Sequence, residues 1–118
     1  MGFQQGLSGL NISSKNLEVI GNNVANANTY GFKQSRAEFA DMYAASLNGG
    51  GSNNIGIGAR VASVAQQFTQ GNITTTANSM DLAINGRGFF ALANSQGETV
   101  YSRNGQFKRD ASGYIVNN

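Results

Sequence analysis

The sequence contains no cysteine, no histidine and no proline. Without cysteine and histidine there are no disulfides, no thiol nucleophile, no imidazole base and no Cys/His zinc ligands. Charge is scarce too, at 12% of residues against a usual share of about 25%. The net charge of +2 comes from scattered side chains. Only Lys33 with Arg36, and Lys108 with Arg109, lie close together, whereas a nucleic-acid binder clusters its basic residues. No apolar run approaches the roughly 18 residues needed to span a bilayer. The first residues also lack the basic and apolar blocks of a cleaved signal peptide, so the expectation is that the protein either stays in the cytoplasm or leaves by a route that needs no cleaved signal.

What is abundant is glycine, 16 residues of 118, together with Asn, Ser and Thr. The length suits one modest domain or pieces of two. Low charge with many small polar residues suits a surface covered largely by other chains.

Residues 3 to 27 carry the clearest period. Phe3, Leu10, Leu17 and Val24 recur at steps of seven, with Leu7, Ser14 and Gly21 between them and Ile20 widening the stripe. This spacing predicts a helix laid against other helices, with small residues permitting close approach. A core helix of its own domain gives the same pattern. Six large apolar side chains offset only part of the backbone entropy of such a segment, and Gly2, Gly6, Gly9 and Gly21 add to that cost. The segment is therefore expected to be disordered as a free chain and helical against a partner.

The segment ends in an Asn cluster, Asn22, Asn23, Asn26 and Asn28. The expected role of these side chains is to cap the last helical carbonyls, with Gly31 taking positive φ. A polar recognition site at the same place is compatible with that role.

Residues 29 to 70 read as a linker or joint. "FKQSRAEFADMYAASL" has a short helix-like or irregular apolar spacing, and "NGGGSNNIGIG" has linker composition. Alternation at Val61, Ser63 and Ala65 suggests a strand. "GIGARV" resembles a dinucleotide-binding loop but lacks the third glycine.

From residue 71 onward the pattern is all-β. Short runs are separated by Asn85-Gly86, Ser95-Gln96-Gly97, Asn104-Gly105 and Ser112-Gly113, and Asn-Gly is a strong signal for a type I′ hairpin. The expectation is a meander of four or five antiparallel strands, with the adjacent Phe89 and Phe90 on opposite faces. The last strand has no closing element, so the β domain is expected to be incomplete. The fold class is thus α+β, in three parts: 1–28 an assembly helix, 29–70 a linker, 71–118 the first part of a β domain.

No constellation supports catalysis, a metal or a cofactor. The six carboxylates are Glu18, Glu38, Asp41, Asp81, Glu98 and Asp110. Glu38 and Asp41 could share one helical face, most simply a solvated one. Asp110 before Ser112-Gly113 reads as a turn residue. The sequons at Asn11 and Asn72 carry little weight without a secretory signal.

The stretch "SGLNISSKNLEVIGNNVANANTYGFKQSRAEFADMYA" resembles the N-terminal signature of the bacterial flagellar rod and hook proteins. The matching positions are Gly9 and Leu10; Asn22, Asn23, Val24, Ala25 and Asn26; and Thr29, Gly31, Phe32 and Lys33. "SMDLAINGRGFFAL" and "YSRNGQFKRDASGYIVN" are similar to later segments of that family, so the likeness covers nearly the whole chain. "MGFQQGLSGLN" and "FADMYAAS" look most like the hook branch, while the length of "SLNGGGSNNIGIGARV" leaves the distal rod branch open. The resemblance implies a tubular homopolymer with terminal helices lining a channel and β domains forming the shell. In the hook branch it implies a flexible joint that transmits torque. It also implies neighbouring rod, cap and junction proteins as partners, and export by the flagellar apparatus without a cleaved signal. It implies neither a nucleic acid nor a small-molecule substrate. A small β-domain binding module with a recruiting helix is the competing reading from another class.

Overall fold

The computed structural model describes residues 2–42 and 56–118. The glycine-rich stretch from 48 to 55 lies outside the described residues. Among the described residues one helix, α1 (Gly2–Ala25), precedes six strands: β1 (Ser35–Asp41), β2 (Ala59–Gln66), β3 (Phe90–Ala93), β4 (Thr99–Ser102), β5 (Lys108–Arg109) and β6 (Ile115–Val116). The strands form three separate antiparallel pairs, β1-β2, β3-β4 and β5-β6, so the fold class is α+β. The chain divides into two compact units. The first holds residues up to Ala25 with Gln34–Gln67, and the second holds Asn26–Lys33 with Phe68–Asn118.

In the first unit, β1 corrects the reading of residues 35 to 41 as helix-like or irregular. "SRAEFAD" is a strand because it finds a partner far away in sequence. Ser35 pairs with Gln66 and Asp41 with Ala59, and a register shift between Glu38 and Phe39 skips Ala62 on β2 as a bulge. The ladder extends past both ends, with Met42 N–H donating to Gly58 O at 2.8 Å and Gln67 N–H to Gln34 O at 2.8 Å. Glu38 and Asp41 therefore share no helical face. Three apart on a strand, they point to opposite sides. Glu38 accepts from Ser63 Oγ at 3.0 Å and meets Arg36 at 3.4 Å. Ala37, on the strand side facing inward, is the buried apolar residue of this unit.

In the second unit, β3-β4 and β5-β6 repeat one turn design sixteen residues apart (94 to 110). In the first ribbon Asn94 Oδ1 accepts from the N–H groups of Gln96 and Glu98, and Gly97 takes φ 83°. In the second, Asp110 Oδ1 accepts from Ser112 and Tyr114 N–H, and Gly113 takes φ 89°. A short acceptor side chain followed by Gly three residues on is the shared instruction. The reading of Asp110 as a turn residue holds.

The two Asn-Gly pairs of the second unit do not make hairpins. A type I′ turn needs positive φ at both central residues, and among the described residues only glycines have it. At 85–86 only Gly86 takes it, at φ 102°. Asn104-Gly105 leads instead to a crossing. Leu82 N–H donates to Gly105 O at 2.9 Å, and Asp81 makes an isolated bridge with Gln106. "MDLAI" is thus a single contact point rather than a strand, and ribbons replace the expected meander.

Phe89 and Phe90 do point apart. Phe90 meets the buried Phe107 edge-on at 5.1 Å between centroids, while Phe89 meets Phe68 at 6.0 Å. Around them Arg103 acts as a hub, a role that a lone basic residue in the sequence does not announce. Its guanidinium donates to the carbonyls of Ile84 (2.9 Å), Gly86 (2.6 Å) and Gly88, and to Gln70 Oε1 at 2.9 Å.

Candidate assembly interface

The helix decides how the first unit is built. Where the sequence suggests order only against a partner, α1 is fastened to its own chain, and the fastening is polar. Gln5 Nε2 donates to Gly56 O at 2.8 Å. The Ser8 hydroxyl donates to Ala59 O at 2.6 Å and accepts from Ala59 N–H at 3.1 Å. Asn23 does the same with Ser35, donating to its carbonyl at 2.7 Å and accepting from its N–H at 2.9 Å. Ser8 and Asn23 each pair with a strand residue's backbone N–H and C=O as another strand would. Ile12 and Val19, on the same side, are half-buried.

At about 100° per residue, the line through 5, 8, 12, 19 and 23 lies roughly 180° from the line through 3, 7, 10, 14, 17 and 21. The predicted apolar seam is therefore bare. Phe3, Leu7, Leu10, Leu17, Ile20 and Val24 are all exposed, from 47% at Ile20 to 96% at Phe3. A Cβ placed on Gly21 within this seam would meet no atom of the described residues within 4 Å beyond the helix itself, so their packing does not require its smallness. Along the flank, an open groove of about 610 Å³ runs between the second half of α1 and the β1-β2 pair, lined by Val19, Ala25, Ala37, Val61 and Val64, with Lys15 and Glu18 also contributing.

The Asn cluster and the segment after it are split between the units. Asn23 anchors β1 rather than capping helical carbonyls, the role the sequence suggests for it. In the second unit, Thr29 N–H donates to Asn26 O at 3.0 Å and Phe32 N–H to Thr29 O at 3.3 Å, which makes a compact turn. Gly31 takes φ 77°, as expected, and its Cα lies against the backbone of Arg103 and Asn104. Lys33 Nζ donates to Thr69 O at 2.7 Å, and Phe32 is half-buried. Asn22 also makes an interaction. Within their own units these residues organise the chain locally.

Sequence reasoning missed Gln5 and Ser8. Their signal was present as a second stripe at helical spacing opposite the apolar one, but it is polar and so was not read as a packing face.

Removing the Asn23 amide tests this arrangement. Asn23→Ala should cost about 1–3 kcal/mol, the loss of two partly buried hydrogen bonds with a strand end left unpaired. Amide exchange at Ser35 and its neighbours in β1 should accelerate accordingly. Unchanged exchange there would mean that β1 is held by β2 alone.

Among the described residues no group of His, Cys, Asp or Glu could hold a metal, and no helix is long and apolar enough to cross a membrane. The helix is tied down by its polar side, and its apolar side is open. Comparison with known proteins places the chain in a family. Residues 3–33 match the model for the flagella basal body rod protein family, and residues 83–118 match the D1 domain of the flagellar hook protein FlgE/F/G family. The chain is 50% identical over 117 residues to the flagellar hook proteins FlgE of Escherichia coli and Salmonella typhimurium, covering 99% of its own length and 27% of theirs. It is 40% identical over 121 residues to the flagellar basal-body rod protein FlgG of Agrobacterium fabrum, covering 92% of its own length and 46% of the relative's. The chain belongs to the flagellar rod and hook protein family. It spans about a quarter of the length of the hook proteins it matches.

Proposed function

We propose that this protein is a structural subunit of the bacterial flagellar hook, a self-assembling tube that bends while it transmits torque. The observation that carries the reading is the bare seam from Phe3 to Val24, opposite a face already used for the chain's own packing. Likeness supports the hook branch over the rod branch, with 50% identity to the first against 40% to the second. In this reading the seam packs against helices of neighbouring copies, and Gly21 lets them approach closely. The partners are further copies of the chain and adjoining rod, cap and junction proteins. The subunit leaves through the flagellar export apparatus without a cleaved signal and works outside the cell. No catalytic step and no cofactor belong to this role.

A rod subunit of the same family is the second reading, favoured by the rod-family match over residues 3–33. A domain exchange separates the two. Substituting this chain for the aligned 117 residues of the Escherichia coli hook protein should give motile cells with hooks of normal appearance. Substitution for the aligned stretch of a rod protein should not restore motility. The reverse outcome would move the protein to the rod.

A further inference from the structure

Two Asn-Gly pairs lie in the second unit, and their surroundings differ. Asn-Gly is the sequence in which a backbone nitrogen most easily reaches the preceding side-chain amide, because glycine puts no Cβ in the way. Asn104 is held: its Oδ1 accepts from Gln106 N–H at 3.0 Å. Gly105 is buried, and its Cα lies against the Leu82 carbonyl. Asn85 and Gly86 are both exposed and outside any strand, and a Cβ on Gly86 would meet nothing within 4 Å. Among the described residues no hydrogen bond is made by the Asn85 side chain.

We infer that Asn85 is a site of spontaneous deamidation, and that the Gln70–Arg103 clamp sets its rate. The Gly86 nitrogen, losing its proton to water or hydroxide, attacks Cγ of Asn85. A new N–C bond closes a succinimide ring and ammonia departs. Water then opens the ring at either carbonyl, giving aspartate or isoaspartate. The net exchange is one amide and one water for one acid and one ammonia, with no oxidation or reduction. The attacking N–H is the one that donates to Gln70 Oε1 at 3.2 Å. The peptide groups around it are fixed by Arg103, which binds the carbonyls of Ile84, Gly86 and Gly88. Ring closure requires this segment to turn, so the loop must leave the clamp before it reacts. Once formed, the carboxylate stands in a loop whose neighbouring carbonyls already bind a guanidinium. Isoaspartate also adds a backbone carbon there, which breaks the spacing of those three carbonyls.

The test is timed incubation of the 118-residue chain at mildly alkaline pH, followed by peptide mapping that separates aspartate from isoaspartate. Both products should accumulate at Asn85 while Asn104 stays intact. In Gln70→Ala, conversion at Asn85 should rise roughly two- to tenfold, the factor by which losing a hydrogen bond of ordinary net strength populates the open loop. Conversion at Asn104 should not change. Arg103→Gln should act in the same direction. If that variant unfolds the unit, Asn104 will accelerate with Asn85, and Gln70→Ala then decides. Conversion at Asn104 matching or exceeding that at Asn85 in the unaltered chain would overturn the assignment of the site. An unchanged rate at Asn85 in a folded Gln70→Ala would overturn the role of the clamp.

Discussion

Leu10→Asp combined with Leu17→Asp should abolish self-association while leaving the monomer folded. Both leucines stand in the bare seam. In the single chain they touch little, so their replacement should shift monomer stability by no more than about 0.5–1 kcal/mol. In a packed tube, burial of each leucine contributes about 1.5–3 kcal/mol. Losing both weakens each helix contact by roughly 3–6 kcal/mol, or about 10²–10⁴-fold in affinity. Desolvating two carboxylates adds to the loss. Sedimentation of the unaltered chain should reveal larger species as concentration rises, and the double variant should sediment as a monomer throughout. Amide exchange in β1 and β2 should be the same in both. Assembly of the variant at unaltered concentrations would remove the seam from the interface, and the groove beside Val19 and Val64 would replace it.

Gly105→Ala should be the most damaging single change in the second unit. Gly105 is buried, and a methyl group there would overlap the Leu82 carbonyl and press on the Phe90 ring at 3.1 Å. The backbone must separate to admit it, which breaks the Leu82 N–H to Gly105 O bond and loosens the pairing of Phe90 with Phe107. Overpacking of a fitted site costs about 1–3 kcal/mol, and the lost hydrogen bond about 1 more. For a unit of this size the sum lowers the thermal midpoint by on the order of 10 °C or more. Gly71→Ala is the control. It has open space around it and no positive φ, so it should change stability by less than about 0.5 kcal/mol. Equal midpoints for the two variants would mean that the crossing of residues 82 and 105 does not hold the unit together.

Both predictions depend on where the backbone goes, and sequence and structure contribute differently to that. The period of Phe3, Leu10, Leu17 and Val24 was legible because a helix writes its apolar face into consecutive turns of the same segment. The tips at Asn94–Gly97 and Asp110–Gly113 were legible for the same reason. Turn chemistry acts over four or five residues, and the residues that satisfy it are neighbours in the chain. The absence of histidine and cysteine, which narrows the chemistry available, is also a property of the sequence by itself.

Tertiary structure decided what depends on residues far apart in the chain. "SRAEFAD" has no strand signature of its own, and it is a strand because β2 supplies hydrogen-bonding partners some twenty residues later. Asn85-Gly86 and Asn104-Gly105 carry the same local signal and became a clamped loop and a buried crossing. Arg103 and Leu82 reach them from elsewhere in the chain, and no local propensity encodes that meeting. Which side of α1 faces inward was decided in the same way. The periodicity gives an apolar stripe, but only the backbone positions of Ser35, Gly56 and Ala59 select the polar stripe of Gln5, Ser8 and Asn23 for the chain's own contacts. Side chains that pair with a strand backbone gain hydrogen bonds that the apolar seam cannot make, so the polar face turns inward and the seam faces out.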